Sequence, residues 1–267
     1  MLDPLTLSLA VAAGSLVGLV LGLIGGGGSV LAVPLLVYAV GVPSPHVAIG
    51  TSALAVSLSA AANLAAHARA GRVKWPCAAV FTVIGMLGAY GGSMVAKAVN
   101  GQNLLVLFGL VMIAIGIAML RRRGAVGDPT VRLTRTSARR MLPPLLGAGL
   151  RVGLLSGFFG IGGGFLVVPA LVASTGMPLS FAIGTSLVSV TAFGATTAAS
   201  YAWSGLIDLP LAASFLAGGL AGGAGGFLLS KRLAGRTRTL GLIFGCVVIA
   251  VGLYVVARGV MTLTGHG

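Results

Sequence analysis

Apolar residues occur along the chain in ten runs that are separated by short polar stretches. A helix needs about 20 apolar residues to cross the hydrocarbon core of a bilayer, and most of the runs approach that length. The second run of each half is shorter and contains a proline. The pattern predicts an all-α integral membrane protein with about five hydrophobic segments in each half. The runs cover residues 5–24, 28–41, 46–68, 76–97, 103–120, 141–159, 163–175, 180–203, 209–230 and 239–258.

The two halves of the chain carry the same motifs in the same order. The pentapeptide AIGTS stands at Ala48–Ser52 and again, at an offset of 134, at Ala182–Ser186. Upstream of it, GLIGGGGSVLAVP (Gly22–Pro34) aligns with GFFGIGGGFLVVP (Gly157–Pro169). Motifs repeated in order indicate an internal duplication. The chain then divides into a first membrane repeat at 1–120, a basic linker at 121–140 and a second membrane repeat at 141–267.

The distribution of positive charge predicts how the repeats lie in the membrane. If every run crosses, all basic residues except Lys97 and Arg258 fall on one side. If the short runs instead enter and return, the Lys231–Arg238 loop moves to the opposite side. The positive-inside rule favours the first arrangement. It predicts two repeats of inverted topology, with both termini outside, in a bacterial cytoplasmic membrane.

Glycine runs interrupt the helical pattern at equivalent places in both repeats, at Gly25–Gly28 and Gly160–Gly164. Glycine costs about 1 kcal/mol against alanine within a helix. Inside lipid, such breaks persist only where they face protein or a watery cavity, and in inverted repeats they indicate a transport site near the membrane midplane. We expect a short helix after each break to direct its first N–H groups at an anion. The residues predicted to bind there are Gly27, Gly28, Ser29, Gly162, Gly163 and Gly164.

Other glycines recur every four residues, at Gly14, Gly18, Gly22 and Gly26 and again at Gly149, Gly153 and Gly157. We interpret these two stripes as surfaces for close helix packing, because small residues let membrane helices approach. The same packing role is the alternative for the glycine runs themselves.

The AIGTS motifs predict a second pair of anion contacts. Gly50 and Gly184 would let the chain turn, so that the hydroxyl groups after them lie at helix N-caps. These hydroxyls either satisfy the first amides or donate to a ligand. The residues concerned are Thr51, Ser52, Thr185 and Ser186. Asn63 and His67, one turn apart on the third run, are further candidates for binding, the alternative being ordinary hydrogen bonding at the membrane interface.

Composition and charge exclude several classes of function. Only 7% of the residues are charged, against about 25% in soluble domains. The net charge of +14 arises from clusters between the apolar runs, so its partners are water and anionic lipid headgroups rather than nucleic acid. The chain has no glutamate, and Asp3, Asp128 and Asp208 fall at ends or in loops. Catalytic motifs are missing, and Cys77 and Cys246 form no metal or disulfide pattern, so we expect no enzyme, metal or cofactor.

The paired GIGGG…VVP and AIGTS blocks, with Asn63, His67 and Gly71 after the first AIGTS, resemble the sulfite exporter TauE/SafE family of bacterial membrane permeases. The resemblance covers about residues 12–258. It implies transport of sulfur-containing anions such as sulfite, thiosulfate or organosulfonates. A carrier of another small anion such as a carboxylate, and a non-transporting membrane scaffold or assembly factor, are the alternatives. A small anion and membrane lipids are the expected partners, and a homo-oligomer is left open.

Overall fold

The computed structural model describes residues 3–24, 26–121, 135–160, 162–232 and 237–264. This part of the chain is built of helices and short turns, and eight of its helices are long and apolar enough to cross a membrane. The predicted all-α membrane class is therefore confirmed. The long helices are α1 (Pro4–Ile24), α3 (Pro45–Arg69), α4 (Trp75–Ala98), α5 (Gly101–Arg121), α6 (Arg135–Phe159), α8 (Leu179–Ala202), α9 (Leu209–Arg232) and α10 (Thr237–Thr264).

One short segment follows the first long helix of each half. The segment α7 is a helix of 12 residues, Gly164–Thr175. Its counterpart α2 is irregular, with a 3-10 helix at Gly26–Leu31, one α-turn at Ala32–Pro34 and a π-turn at Leu35–Ala39. Residues 122–134 of the predicted linker lie outside the described residues, whereas residues 135–140 form the start of α6.

Helix directions show how the short segments run through the bundle. Helices α6 and α8 both pack parallel to α4, as the contacts of Gly85 with Gly153 and of Thr82 with Ser189 show. Because α6 and α8 point the same way, the chain must return through the bundle between them, along α7. Helices α1 and α3 both pack parallel to α9, so α2 makes the equivalent return. The structure thus has each short segment crossing the bundle, rather than entering it and turning back.

Each helix pair at the periphery joins the two halves. Helix α1 packs along α9, α4 along α6, and α5 along α10. The repeat offset relates α1 to α6 and α9 to α4, so the first two pairs are equivalent. Neither half of the chain is therefore a separate packing unit.

The glycine stripes lie in these pairs, as the sequence predicted, except for Gly26, which belongs to the 3-10 helix of the first break. A Cβ atom on Gly18 of α1 would overlap the carbonyl oxygen of Gly219 in α9. On α6, a Cβ on Gly153 would overlap the Gly85 oxygen, and one on Gly157 the Ala89 oxygen. The backbones therefore touch, which is the close approach that small residues permit in membrane helices.

Helices α3 and α8 occupy the centre and have the largest buried shares of the long helices. They run antiparallel, because Gly50 near the start of α3 lies against Leu206 just after the end of α8. At their crossing, the Ser57 hydroxyl donates to the Thr191 carbonyl oxygen at 2.7 Å, and these positions are 134 residues apart. Since 134 is the repeat offset, equivalent residues of the two halves meet at this contact.

Candidate functional site

The second glycine break is a loop of left-handed residues. Gly160, Gly162 and Gly163 have φ angles of 67°, 65° and 68°. Residues with a Cβ rarely adopt this conformation, so the loop depends on glycine. Helix α7 starts immediately afterwards, and its Leu166 and Val167 amides both donate to the Gly163 carbonyl oxygen at 2.9 Å. The amides of the preceding first turn have no acceptor inside the helix, as at every helix start.

The first break has a different geometry. Gly26, Gly27 and Gly28 belong to a 3-10 helix and keep a right-handed backbone. Gly28 lies against the α1 backbone at Leu21, as Gly163 lies against Ser156 of α6. The two breaks are therefore equivalent in position, but only the second has a left-handed loop among the residues described.

The two breaks come together in the interior. The start of α2 packs against α7, and Ser29 and the glycines predicted at both breaks are buried. Ile49 of α3 closes over Gly160, and a Cβ on Gly162 would lie 3.2 Å from the Val190 side chain of α8. The residues predicted at the two breaks thus lie in one region, walled by apolar side chains of the central helices.

The prediction that AIGTS lies at helix N-caps is wrong. Both copies lie inside helices, because α3 already begins at Pro45 and α8 at Leu179. Ser44 is the N-cap of α3, and its hydroxyl accepts from the Val47 amide at 3.5 Å. A serine followed by proline is a strong start signal, and it outweighs the low helix propensity of a single glycine.

The glycines of AIGTS serve close packing between the halves. A Cβ on Gly50 would overlap the Leu206 carbonyl oxygen, and one on Gly184 would overlap the Arg72 carbonyl oxygen. The threonines act beside them: Thr51 Oγ1 accepts from the Asp208 amide at 3.0 Å. Thr185 Oγ1 accepts from the Lys74 amide, also at 3.0 Å. Each AIGTS copy therefore holds the loop that follows the central helix of the other half.

The two held loops have the same backbone geometry. Gly71 and Gly205 both have a φ of 67°. In each loop, the amide of the residue after the glycine donates to a carbonyl oxygen five residues earlier. Arg72 donates to the His67 oxygen and Leu206 to the Tyr201 oxygen, both at 3.0 Å. These are Schellman helix ends, and they direct the chain onto the opposite repeat. Each copy of AIGTS therefore binds the loop of the other half, and the two contacts are equivalent.

The hydroxyls of AIGTS thus all have partners within the protein. Besides the threonines, Ser52 donates to the Ile49 oxygen at 3.0 Å and Ser186 to the Ile183 oxygen at 2.7 Å. A bond of this kind contributes about 0.5–1.5 kcal/mol to stability. The role of these four residues in binding an anion remains a prediction.

Asn63 and His67 face α9. Gly223 of α9 contacts both Asn63 and Gly22, which is three residues before the first break. Asn63 lines a cavity of about 310 Å³ between α3 and α9, whose other lining residues are apolar. The His67 ring is buried edge-on to Phe227, with 5.3 Å between centroids, and neither ring nitrogen has a hydrogen-bond partner among the described residues. The structure therefore places Asn63 near the end of α1 that leads into the first break, and His67 one turn further along α3.

Two buried hydroxyls near the second break were not among the residues predicted from the sequence. Ser156 and Thr197 are fully buried, and neither oxygen has a hydrogen-bond partner in the described part of the chain. Such an unsatisfied group costs about 1–3 kcal/mol. The Ser156 side chain lies against the left-handed loop, with its Oγ 2.9 Å from where a Cβ of Gly163 would be. A serine four residues before a glycine break faces that break, which is the one clue the sequence offers.

The comparisons with known proteins agree with this architecture. The family described as "Sulfite exporter TauE/SafE" matches residues 10–255. A "Probable membrane transporter protein" of Xylella fastidiosa (strain Temecula1) is 48% identical over 253 residues, covering 95% of this chain and 96% of the relative. The "Probable membrane transporter protein YunE" of Bacillus subtilis (strain 168) is 27% identical over 266 residues, covering 93% and 97%. No solved structure matches the chain. With ten apolar segments, paired helix breaks and a family match over nearly its whole length, the chain belongs to the TauE/SafE family of membrane transporters.

Proposed function

We propose that this transporter moves a small sulfur-containing oxyanion, such as sulfite or an organosulfonate, across the bacterial cytoplasmic membrane. The meeting of the two helix breaks in the interior carries the proposal. There the N-terminus of α7 and the residues of the first break lie together, next to the antiparallel central helices. Helix N-termini bind oxyanions through free amides and the positive end of the helix dipole.

The electrostatics around the breaks favour an anion. Of the acidic residues, Asp3 precedes α1 and Asp208 caps α9 by accepting from the Leu211 amide at 3.0 Å. Asp128 lies outside the described residues. No carboxylate therefore lies within a described membrane span to repel an anion. Val56, Val190 and Phe193 make the surroundings apolar, and a low local dielectric strengthens the attraction of the helix dipole.

We propose further that the two halves lie in the membrane in opposite orientations. Two pairs of equivalent helices support this. Helices α3 and α8 run antiparallel, and so do α5 and α10, in which Gly109 contacts Gly252 and Gly116 contacts Ile249. The loop after α3 then faces the cytoplasm, because it contains basic residues that the loop after α8 lacks.

Thiol labelling in intact cells tests this orientation. Arg69→Cys and Trp203→Cys change equivalent, exposed positions, in a background with Cys77→Ala and Cys246→Ala. A membrane-impermeant maleimide should label the variant at 203 and leave the variant at 69 unlabelled. After permeabilisation both should react, which controls for accessibility. Labelling of both variants in intact cells would contradict the opposite orientations.

Flux measurements on the purified protein in liposomes test the substrate. We expect saturable uptake of labelled sulfite that depends on the protein and is inhibited by methanesulfonate more strongly than by acetate. Stronger inhibition by acetate would favour a carboxylate carrier. Absence of flux for all three anions, from protein shown to be folded and inserted, would favour the scaffold alternative.

A further inference from the structure

The hydroxyls of Ser156 and Thr197 differ from the other helical hydroxyls around them. In the same region, Ser186, Thr191 and Thr196 donate to carbonyl oxygens three or four residues earlier in their own helix. Membrane helices commonly satisfy serine and threonine in this way. Ser156 and Thr197 are fully buried, and neither hydroxyl has a partner among the described residues. Their oxygens are thus available to a ligand.

Ser156 lies at the second break, and Thr197 lies one helical turn beyond the residues of α8 that contact it. Ser156 lies directly against Gly163, the residue that precedes α7. On α8, Val190 contacts Gly162 and Phe193 contacts Gly163. Thr197 follows Phe193 by four residues, so it continues the same face of α8 one turn further on.

The first half lacks each of these features. The position equivalent to Ser156 is Leu21, which is buried and apolar. The position equivalent to Thr197 is Asn63, whose amide already donates to the Ser59 oxygen at 2.9 Å. Gly28, equivalent to Gly163, keeps a right-handed backbone in a 3-10 helix. The groups available to a ligand are therefore concentrated in the second half.

We infer that the anion site is one-sided, with Ser156, Thr197 and the first amides of α7 as the donors that bind the oxyanion. This inference rests on the proposed function and refines its site. Two hydroxyls and a helix N-terminus offer donors to at least two oxygens of one ligand. The first break then packs against α7 without supplying a donor to the ligand.

The donor set also selects the charge of the ligand. Hydroxyls and amides are neutral, and no lysine or arginine is buried among the residues whose burial the structure describes. The atoms nearest to the left-handed glycines belong to Ile49, Val56, Val190, Phe193 and Ser156. The cost of removing an ion from water rises steeply with its charge, and a dianion needs a cation to offset it. The site therefore fits a singly charged oxyanion such as a sulfonate or hydrogensulfite, and disfavours sulfate.

Calorimetric titration of the purified protein with methanesulfonate, with sulfite and with sulfate tests this site. Ser156→Ala and Thr197→Val should each weaken methanesulfonate binding about tenfold or more, as expected when a hydrogen bond to an anion is lost. Thr197→Ser keeps the hydroxyl and should bind like the wild type. The matched controls are Thr196→Val and Ser174→Ala, whose hydroxyls donate to carbonyl oxygens of their own helices. Both control variants should bind methanesulfonate with an affinity within about twofold of the wild type. Their hydroxyls donate within their own helices and therefore make no hydrogen bond to the ligand.

The outcomes separate the site from the function. Wild-type affinity in both Ser156→Ala and Thr197→Val would overturn the inference while the proposed function stands. An equal loss in Ser29→Ala and Ser156→Ala would overturn its one-sidedness, and tighter binding of sulfate would overturn the charge selection. If the folded wild type binds neither methanesulfonate nor sulfite, the proposed function fails, and this inference fails with it.

Discussion

Gly157→Ala should prevent α6 from packing against α4 and lower the melting temperature of the protein strongly. The added methyl group would overlap the backbone oxygen of Ala89, and backbone cannot rotate away as a side chain can. The two helices must then separate along their length. Overpacking of a tight interface lowers the stability of the folded protein by about 1–3 kcal/mol. Because backbone lies on both sides of the contact, we expect Gly157→Ala to reach or exceed the upper end of this range.

The matched control is Gly147→Ala on the same helix. Nothing lies within 4 Å of a Cβ at Gly147, so the exchange should be neutral or should stabilise α6 by up to about 1 kcal/mol. Thermal unfolding of both variants in detergent gives the comparison. Equal melting temperatures would show that the α4–α6 contact is looser than the structure has it.

Gly163→Ala should abolish most anion flux while leaving a folded protein. Alanine at a φ of 68° costs about 1–2 kcal/mol. In addition, its Cβ would lie 2.8 Å from the Ser156 Cβ, which would push the start of α7 away from α6. A shift of this kind misplaces the donors that the proposed site depends on, and we expect flux to fall about tenfold or more.

The control variant Gly176→Ala has backbone strain similar to that of Gly163→Ala, but it does not displace the start of α7. Gly176 ends the same helix with a φ of 74°, and nothing lies within 4 Å of its Cβ position. Both variants carry similar strain, but only Gly163→Ala crowds Ser156. Liposome flux and melting temperature should be measured on both. Equal flux in the two variants would mean that the start of α7 has no part in transport.

Hydropathy predicted the spans well because burial in lipid requires apolar residues at every turn. The run at 76–97 corresponds to α4 at Trp75–Ala98. The run at 141–159 underestimates α6, which begins at Arg135. Hydropathy reports the part of a helix that lies in hydrocarbon, and arginine and alanine continue a helix well beyond that part.

The prediction that AIGTS forms turns was wrong because it considered only residues that are neighbours in the sequence. Glycine and threonine suggested a turn, but tertiary contacts decide their role here: Gly50 is needed so that Leu206 can approach, and Thr51 satisfies an amide of the other repeat. Ser156 and Thr197 were missed because side-chain rotamers of ordinary residues depend on neighbours distant in sequence. The sequence shows the repeat, but it does not show which residues of the two halves contact each other.

The pairing of every peripheral helix with the other half has a consequence for biosynthesis. Helix α1 leaves the ribosome well before its packing partner α9, which starts only at Leu209. Until α9 is inserted, the glycine stripe of α1 faces lipid or a chaperone. Assembly must therefore be largely post-insertional, and the order in which helices enter the membrane cannot be the order in which they pack. Nascent chains truncated before Leu209 should thus remain open to proteolysis even when all of their spans have been inserted.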